Sequence, residues 1–325
     1  MKVKSIMQMK KKNTQKSNTR SKYRVGLVIL IIFVIVSSIF IIKFKPKQEQ
    51  DNFQISTNDE KEEEEEEPIK EEEPEISMLD NSGYLELKDD PFADDAVIVS
   101  DNLHGLLTGK KVYPVRTDGK KVAYLTFDDG PSTTNTPKVL DILDKYNIKA
   151  TFFVLGKSLE SSETAKEILR EEAKRGYAIA NHSYSHDYSY LYPNRIMNVD
   201  NIVSDFDKNN CILKEVLGKD FSTRTIRFPG GYWSWNGRKP MRDKIIENGY
   251  CSVDWNVLNG DAEGKVKNAS ELIQTTKEGV EGLGDDADSI VILMHDTYGK
   301  EETVKALPQI IEYLQYNGYE FRTIK

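Results

Sequence analysis

The sequence predicts an α/β fold in which a parallel sheet is closed into a barrel. From residue 121 onward, seven β-rich runs alternate with amphipathic stretches, which is typical of parallel sheets, either open and doubly wound or closed. No Gly-rich phosphate-binding fingerprint follows the first run, and this weakens the open, dinucleotide-binding version. Polar residues follow five different runs. A βα barrel would gather all of them at one face, so we favour the barrel.

The predicted strands are short and bounded by turn residues. They are Val122–Phe127, Ala150–Leu155, Tyr177–Asn181, Thr225–Phe228, Cys251–Asn256, Ser289–Met294 and Tyr319–Ile324. The clearest helix runs from Val199 to Leu217 and stops before Gly218. Three further helices are predicted to start near prolines, whose missing N–H costs little in a first turn: Pro137, Pro240 and Pro308.

The N-terminal region predicts a membrane anchor. Residues 1–24 carry nine Lys or Arg and no acidic residue, and residues 25–42 are uncharged and apolar. Eighteen helical residues would cross most of a hydrocarbon layer of about 30 Å. A cleaved signal peptide and a buried core helix are the alternatives, but the run exceeds a usual h-region and "KFKPK" follows it, so we expect an uncleaved anchor. The basic residues predict a cytoplasmic N-terminus and an extracellular remainder.

Residues 43–110 predict a largely disordered acidic tether and lead-in. The segment contains "EKEEEEEEPIKEEEPE" and few large apolar residues, so it cannot bury enough surface to offset the entropy of ordering. Pro68 and Pro74 would interrupt a helical acidic rod. We therefore place the start of the folded domain at residue 111 and its end at residue 325.

Charge and cysteine content restrict the partners. Beyond residue 24, 36 Lys and Arg stand against 53 Asp and Glu, which argues against nucleic acid as a partner. No pattern indicates a partner chain, and we expect a monomer. Cys211 and Cys251 lack metal-type spacing. A disulfide outside the cell is one reading, but we expect two buried free thiols.

Two adjacent carboxylates, Asp128 and Asp129, directly follow the first predicted strand. They would repel each other in an apolar surrounding unless a cation lay nearby, although an ordinary Asp-Gly turn is also open. His182 and His186 are four residues apart, which in a helical turn points both imidazoles towards one metal ion; a structural histidine pair is the alternative. Two His and one Asp would leave coordination positions open for water and substrate, and the second Asp could act as a base.

Five motifs in order carry a family resemblance. "TFDDG", "HSYSH", "RFPGG", "DWN" and "LMHD" resemble the motifs of the polysaccharide deacetylases, carbohydrate esterase family 4, over about residues 112–325. The organisation resembles that of membrane-anchored peptidoglycan N-acetylglucosamine deacetylases of Gram-positive bacteria. The resemblance implies that residues 111–325 form a catalytic domain with the distorted (β/α) barrel of this family.

The resemblance implies roles for the residues around the metal. Asp129, His182 and His186 would hold a divalent metal, usually zinc in this family. Asp128 would be the general base, and Arg227 would pair with it.

It also implies an acid and an acetyl pocket. His295 would be the general acid that protonates the leaving nitrogen, and Asp254 would hold His295 in its protonated form. Trp255 and Leu293 resemble the apolar pocket for the acetyl methyl group.

Gly230 departs from the pattern. Many members carry an aromatic residue at this position, and its backbone N–H helps to bind the oxyanion; here the N–H is kept but the aromatic wall is missing. Tyr232, Trp233 or Trp235 could replace the wall by stacking on a sugar, although these aromatics could equally be loop packing.

We expect hydrolysis of N-acetyl groups from N-acetylglucosamine in cell-wall peptidoglycan, by a single-pass membrane protein whose catalytic domain faces the wall. The alternatives within the same chemistry are chitin oligomers, an N-acetylglucosamine exopolysaccharide and O-acetyl groups of xylan. A non-catalytic anchored wall-binding module and a non-haem iron oxygenase are alternatives of other classes, since two His and one carboxylate also suit Fe(II).

Overall fold

The computed structural model describes residue 85 and residues 87–325. The strands are β1 (Ala93–Asp94), β2 (Lys121–Gly130), β3 (Thr151–Val154), β4 (Ala178–Asn181), β5 (Thr225–Ile226), β6 (Cys251–Ser252), β7 (Val257–Leu258), β8 (Ser289–His295), β9 (Tyr319–Phe321) and β10 (Thr323–Ile324). The helices are α1 (Ala96–Leu107), α2 (Thr136–Lys145), α3 (Gly156–Glu160), α4 (Glu163–Lys174), α5 (Tyr188–Leu191), α6 (Val199–Leu217), α7 (Arg238–Glu247), α8 (Ala269–Gly282) and α9 (Glu301–Tyr316). Within the described residues, 3₁₀ turns cover Leu87–Asp89, Pro193–Arg195 and Tyr232–Ser234.

The main sheet is parallel and strongly curled. Its strand order is β6-β5-β4-β3-β2-β8-β7, and β9 pairs with the beginning of β2. In a flat sheet the two outer strands, β6 and β7, would lie about 29 Å apart. They are joined through only four residues, 253–256, so the chain from Ser252 to Val257 reaches at most about 18 Å. The sheet must therefore curl until its edges approach, and the predicted barrel is present as an incomplete one.

Strand β2 is buried on both faces, and its alternation fixes which side chains enter the barrel. Ala123, Leu125 and Phe127 belong to the large core between the sheet and the outer helices. Val122 and Tyr124 belong to the interior core instead. Side chains two apart in a strand share a face, so Thr126 and Asp128 lie on the same interior face as Val122 and Tyr124. Asp128 is near the C-terminal end of β2.

The folded unit begins upstream of residue 111, where the sequence analysis placed the boundary. Helix α1 buries Ala96, Val99 and Leu103 in the interior core. Strand β1 pairs in parallel with β10, and the Ala96 N–H donates to the Lys325 carbonyl over 2.7 Å. Residues 87–110 therefore belong to the folded unit, although the sequence analysis assigned them to the predicted tether and lead-in.

Most predicted elements are confirmed, with three differences. The predicted strand Cys251–Asn256 is interrupted after Ser252, because the chain crosses there from one sheet edge to the other. The predicted strand Tyr319–Ile324 is likewise divided between β9 and β10, which pair with different partners. Pro308 lies inside α9 and not near its start, and its buried neighbours on that helix hold it against the core.

The two cysteines are both free. Cys251 is buried as predicted, whereas Cys211 is exposed, since it lies on the outer face of α6.

Among the described residues, none of the helices has the length and apolarity that a membrane crossing requires. The predicted anchor, residues 25–42, and most of the predicted tether lie outside the described residues.

Candidate active site

The predicted site residues come from separate strand ends and meet at one end of the curled sheet. Asp128 and Asp129 end β2, and Asp128 is in register with His295 at the end of β8. His182 directly follows β4, and Arg227 directly follows β5. The carboxyl ends of parallel strands lie on the same side of the sheet, and this explains why Asp128 and His295, which are 167 positions apart, can meet.

Asp128 and Asp129 reach the same site because the strand is irregular between them. Regular alternation would send neighbouring side chains to opposite faces. Here the register with β3 shifts between Asp128 and Gly130, and Asp129 has a φ of 70°. This left-handed conformation is unfavourable for a non-glycine residue, so it marks a strained position held by its surroundings. The two carboxylates therefore face one space from two directions.

Asp129, His182 and His186 form a group that fits a metal ion. Asp129 Oδ1 lies 3.5 Å from Nε2 of His182 and 3.4 Å from Nε2 of His186. Among the described residues, this buried oxygen has no hydrogen-bond partner. Ligand atoms around a tetrahedral zinc at about 2.1 Å lie about 3.4 Å from one another, which matches these separations. The donor set and the unbonded oxygen therefore fit a divalent metal.

His182 is prepared as a neutral ligand. Its Nδ1 lies 2.9 Å from the Arg227 carbonyl oxygen, so Nδ1 carries the proton and the lone pair of Nε2 points at Asp129. Burial, which outweighs the nearby Asp129, lowers the pKa of His182 to about 3. A neutral imidazole is the form that binds metal.

The "HSYSH" segment is a loop, and the prediction of a helical turn is wrong. Ser183 and His186 have φ values of 79° and 52°, which no α-helical turn contains. The loop is held from outside, because Asp205 Oδ2 accepts hydrogen bonds from the N–H groups of Tyr184 and Ser185. Both imidazoles still converge on Asp129, but loop geometry brings them there.

Arg227 and Asp128 form a buried ion pair. Arg227 Nη1 donates to Asp128 Oδ1 over 2.7 Å, and neither side chain is appreciably exposed. The same guanidinium donates to Thr126 Oγ1 and to the carbonyls of Val253 and Asp254, so it links β2 to the corner between β6 and β7. Burial raises the pKa of Asp128 above its ordinary value, against the opposing charges of Arg227 and His295.

His295 is paired with Asp261, and the predicted pairing with Asp254 is wrong. His295 Nδ1 lies 2.8 Å from Asp261 Oδ1, while Asp261 Oδ2 accepts from the His295 N–H and from Thr303 Oγ1. Burial alone would lower the pKa of His295, but the hydrogen bond and charge of Asp261 outweigh burial and raise it to about 9. At neutral pH the ring is therefore protonated, and Nε2 points towards Asp129 at 3.9 Å.

Asp254 has another place in the site. It lies in the corner between β6 and β7, where its Oδ1 accepts from the Tyr232 N–H over 3.1 Å and its carbonyl accepts from Arg227. Burial raises the pKa of Asp254 to about 6, against the opposing effects of that N–H and of Arg227. The residue fixes the loop after β5 and does not touch His295.

The predicted substrate-binding residues divide into two groups. Trp255 and Leu293 lie beside the reacting groups: the Trp255 ring is 5.6 Å from the Arg227 guanidinium, and Leu293 shares the face of β8 with His295. Tyr232 is only 8% exposed, and its hydroxyl donates to the Arg238 carbonyl, so its ring is core packing. Gly230 has a φ of 75° and no side chain to offer.

The other two aromatic candidates for a sugar wall also differ. Trp235 is 6% exposed and stacks on Tyr192 with a centroid distance of 4.0 Å, which makes it core packing. Trp233 is exposed but stacks on His104 of α1, 5.3 Å away.

Sequence reasoning missed Asp261 and Tyr188. Asp261 follows β7, and a carboxylate after a strand end is a usable signal, but it was hidden because residues 251–256 read as a single strand. Tyr188 has an exposed ring 5.2 Å from that of His186. Its position two residues after a predicted metal ligand was the available signal.

Comparison with known proteins agrees with this geometry. The family model described as polysaccharide deacetylase matches residues 115–247. A Streptococcus mutans CE4 esterase structure is 32% identical with a TM-score of 0.66, covering 76% of this chain and 100% of that one. A peptidoglycan-N-acetylglucosamine deacetylase of Bacillus cereus is 31% identical over 223 residues, which are 65% of this chain and 72% of the relative.

The chain belongs to the polysaccharide deacetylase family. The predicted family is thus confirmed, and the curled parallel sheet agrees with the CE4 fold. A bifunctional xylanase/deacetylase of Pseudobutyrivibrio xylanivorans is 33% identical over 208 residues, and the chain spans only 30% of its length. The names of these two relatives therefore describe different activities.

Proposed function

We propose that this CE4 protein is a zinc-dependent hydrolase that removes N-acetyl groups from N-acetylglucosamine residues of peptidoglycan and releases acetate. The observation that carries the proposal is the arrangement around Asp129: two imidazoles face it on one side, while a buried base and a protonated imidazole flank it on the other. Amide hydrolysis needs an activated water, a stabilised oxyanion and a proton donor together, and this arrangement supplies a group for each.

The metal would be held by Asp129, His182 and His186. When bound there, Zn²⁺ would supply a Lewis acid that lowers the pKa of a bound water to near 7 and polarises the acetamide carbonyl. The two His and one Asp leave open positions for water and substrate.

The chain's own residues move the protons. Asp128 accepts the proton of the attacking water, and Arg227 orients its carboxylate for this transfer. His295, held protonated by Asp261, donates through Nε2 to the amide nitrogen as the C–N bond breaks. Without that proton the leaving group would be a strongly basic amide anion. The environments of the base and the acid thus assign their opposite roles.

The Gly230 N–H is the backbone donor for the developing oxyanion, and Trp255 with Leu293 excludes water around the acetyl methyl group. Fixed donors aimed at developing charge in a dry site stabilise the transition state more than they would in water.

Peptidoglycan is the proposed substrate because the Bacillus cereus relative is named a peptidoglycan-N-acetylglucosamine deacetylase, and the match spans 72% of that relative's length. Removal of acetyl groups by a deacetylase linked to a xylanase is the second candidate, and the Pseudobutyrivibrio relative favours it. The same water, base and metal would cleave an ester, which has a less basic leaving group and needs less help from His295.

We also propose that residues 25–42 anchor the protein in the cell membrane and that the acidic segment after them carries the catalytic unit towards the wall. Its support is the basic head, the uncharged run and the glutamate-rich sequence. Labelling of intact cells with an impermeant reagent tests the orientation: residues of the catalytic unit should react, and residues 1–24 should not.

The deciding experiment gives the purified full chain three substrates: isolated peptidoglycan, soluble chitin oligomers and acetylated xylan. We expect acetate from peptidoglycan, with each new free amine on N-acetylglucosamine by mass spectrometry. Acetate from xylan alone would favour the second candidate. Absence of acetate from all three, with metal bound, would leave a wall-binding module.

A further inference from the structure

Gly230 lies against the ring of Tyr188, which follows the "HSYSH" motif. A Cβ built at Gly230 would lie 3.2 Å from Tyr188 Oη and 3.1 Å from Trp235 Cζ2. Both separations are tighter than ordinary van der Waals contact, and the φ of 75° adds strain for any side chain. The space in front of Gly230 is therefore already occupied by Tyr188.

Tyr188 lies beside His186, one of the three predicted metal ligands. It follows His186 by two residues in the sequence. The centroids of the two rings are 5.2 Å apart, and their planes make an angle of 38°. The ring also contacts Trp235 edge-on at 5.1 Å, which fixes one side of it. Tyr188 nevertheless remains 45% exposed, so a substantial part of the ring faces outward.

Its hydroxyl group is uncommitted. Within residues 87–325, no hydrogen-bond partner of Tyr188 Oη is found, whereas the buried Tyr232 donates to a backbone carbonyl. A phenol is protonated at neutral pH and can both donate and accept. An exposed ring with a free O–H beside the reacting groups is the combination by which tyrosine contacts sugars and other amphipathic ligands.

The position is held by its own local structure. Tyr188 begins the short helix α5, and Asp187 caps that helix by accepting from the N–H groups of Ser189 and Tyr190. The ring orientation therefore follows from a capped turn packed on Trp235 and not from a flexible loop end.

We propose that Tyr188 is a substrate-contacting residue: its ring forms the wall of the glycan groove at the metal side, and its hydroxyl donates a hydrogen bond to the sugar that carries the acetyl group. This inference deepens the proposed function and rests on it. The Tyr188 wall replaces the side chain that Gly230 lacks, and it reaches the same space from the loop that carries His186.

The test separates the ring from the hydroxyl and compares two substrates. Tyr188→Phe removes only the hydroxyl, and Tyr188→Leu also removes the aromatic face. Chitotetraose offers sugar and acetamide together, whereas 4-nitrophenyl acetate offers an acetyl group without a sugar. Tyr190, 41% exposed on the same helix, supplies the matched controls Tyr190→Phe and Tyr190→Leu.

We expect kcat/KM on chitotetraose to fall about fivefold in Tyr188→Phe, the size of one hydrogen bond, and about 30-fold in Tyr188→Leu, where the stacking surface is lost as well. Activity on 4-nitrophenyl acetate should stay within about twofold of the parent, with metal content unchanged. Both Tyr190 variants should match the parent on both substrates.

Equal losses on both substrates, or no loss on chitotetraose, would overturn the role of Tyr188. If the parent protein itself releases no acetate, the proposed function fails. The affinity for chitotetraose, measured by calorimetry, then tests the contact between Tyr188 and the sugar independently of catalysis. Weaker binding by Tyr188→Leu than by Tyr190→Leu would support the wall, and equal binding would refute it.

Discussion

The two halves of the site differ in how their polar atoms are satisfied. On the metal side, Asp129 Oδ1 faces two imidazole nitrogens at 3.4 and 3.5 Å and has no hydrogen bond within the described chain. On the proton-transfer side, Asp128 is bonded to Arg227 at 2.7 Å and His295 to Asp261 at 2.8 Å. An unbonded buried carboxylate oxygen is costly, so the metal side is complete only with a cation. The proton-transfer side is complete without one.

The largest expected effect comes from removing a metal ligand. His182→Ala, His186→Ala and Asp129→Ala should each lose tight metal binding, since two remaining ligands make a poor site, and acetate release should fall to background. Metal content by mass spectrometry and acetate release are measured on the same samples. A variant that retains one equivalent of metal and full turnover would show that the three residues are not the ligands.

The proton-transfer side should respond differently. Asp128→Asn keeps the size of the side chain and removes its basicity, so metal content should stay at the parent level while turnover falls by about 10²–10⁴-fold. The acid limb of the pH–rate profile should disappear in this variant. If Asp128→Asn lost its metal as well as its turnover, Asp128 would belong to the metal-binding half of the site, and the proposed division into two halves would be wrong.

Asp261 and Asp254 give a matched pair of smaller effects. Asp261→Asn removes the charge that raises the pKa of His295 to about 9. The protonated acid is present below that pKa and is lost as the pH rises through it. The alkaline limb should therefore move to lower pH, with about a tenfold loss near neutrality and a larger one above it.

Asp254→Asn is the control, because the amide oxygen can still accept from the Tyr232 N–H. Its alkaline limb should stay where it is in the parent. If the Asp254 variant moved that limb and the Asp261 variant did not, the original assignment of Asp254 would be restored.

The smallest effect on chemistry is expected from removing the N-terminal region. All groups of both halves lie after residue 127, so the fragment 87–325 should match the full chain on chitotetraose. The fragment 111–325 lacks α1, and loss of the buried Val99 and Leu103 should cost roughly 3–6 kcal/mol of unfolding free energy. Urea denaturation of the two fragments measures the difference. Equal urea midpoints for the two fragments would show that the folded domain begins at residue 111.

The sequence predicted the groups that chemistry requires but not all of their connections. Asp128, Asp129, His182 and His295 were found because each is a titratable residue just after an apolar run, and His186 was found by its spacing of four residues from His182. The connection of His295 to Asp261 was missed because residues 251–256 have one strand-like pattern, while only the curl of the sheet separates β6 from β7.

Helix α1 could not be recognised for a related reason. Its apolar residues are not confined to one stripe: Val97, Ile98 and Leu107 are exposed, while Val99 and Leu103 are buried. Burial of this helix depends on strands far along the chain, and a local pattern does not contain that information.

The pairing of β1 with β10 has a consequence for the order in which the protein is made. Ala93 pairs with Thr323, and the Thr323 N–H donates to the Phe92 carbonyl, so these contacts join segments about 230 residues apart. Synthesis proceeds from the N-terminus, and the segment of α1 therefore emerges long before its last partner strand. We therefore expect the packing of α1 to be completed late in folding, because contacts of such large sequence separation form slowly. Until β10 has been made, β1 lacks the strand with which it pairs, so we expect residues 87–110 to be accessible to proteases during that time.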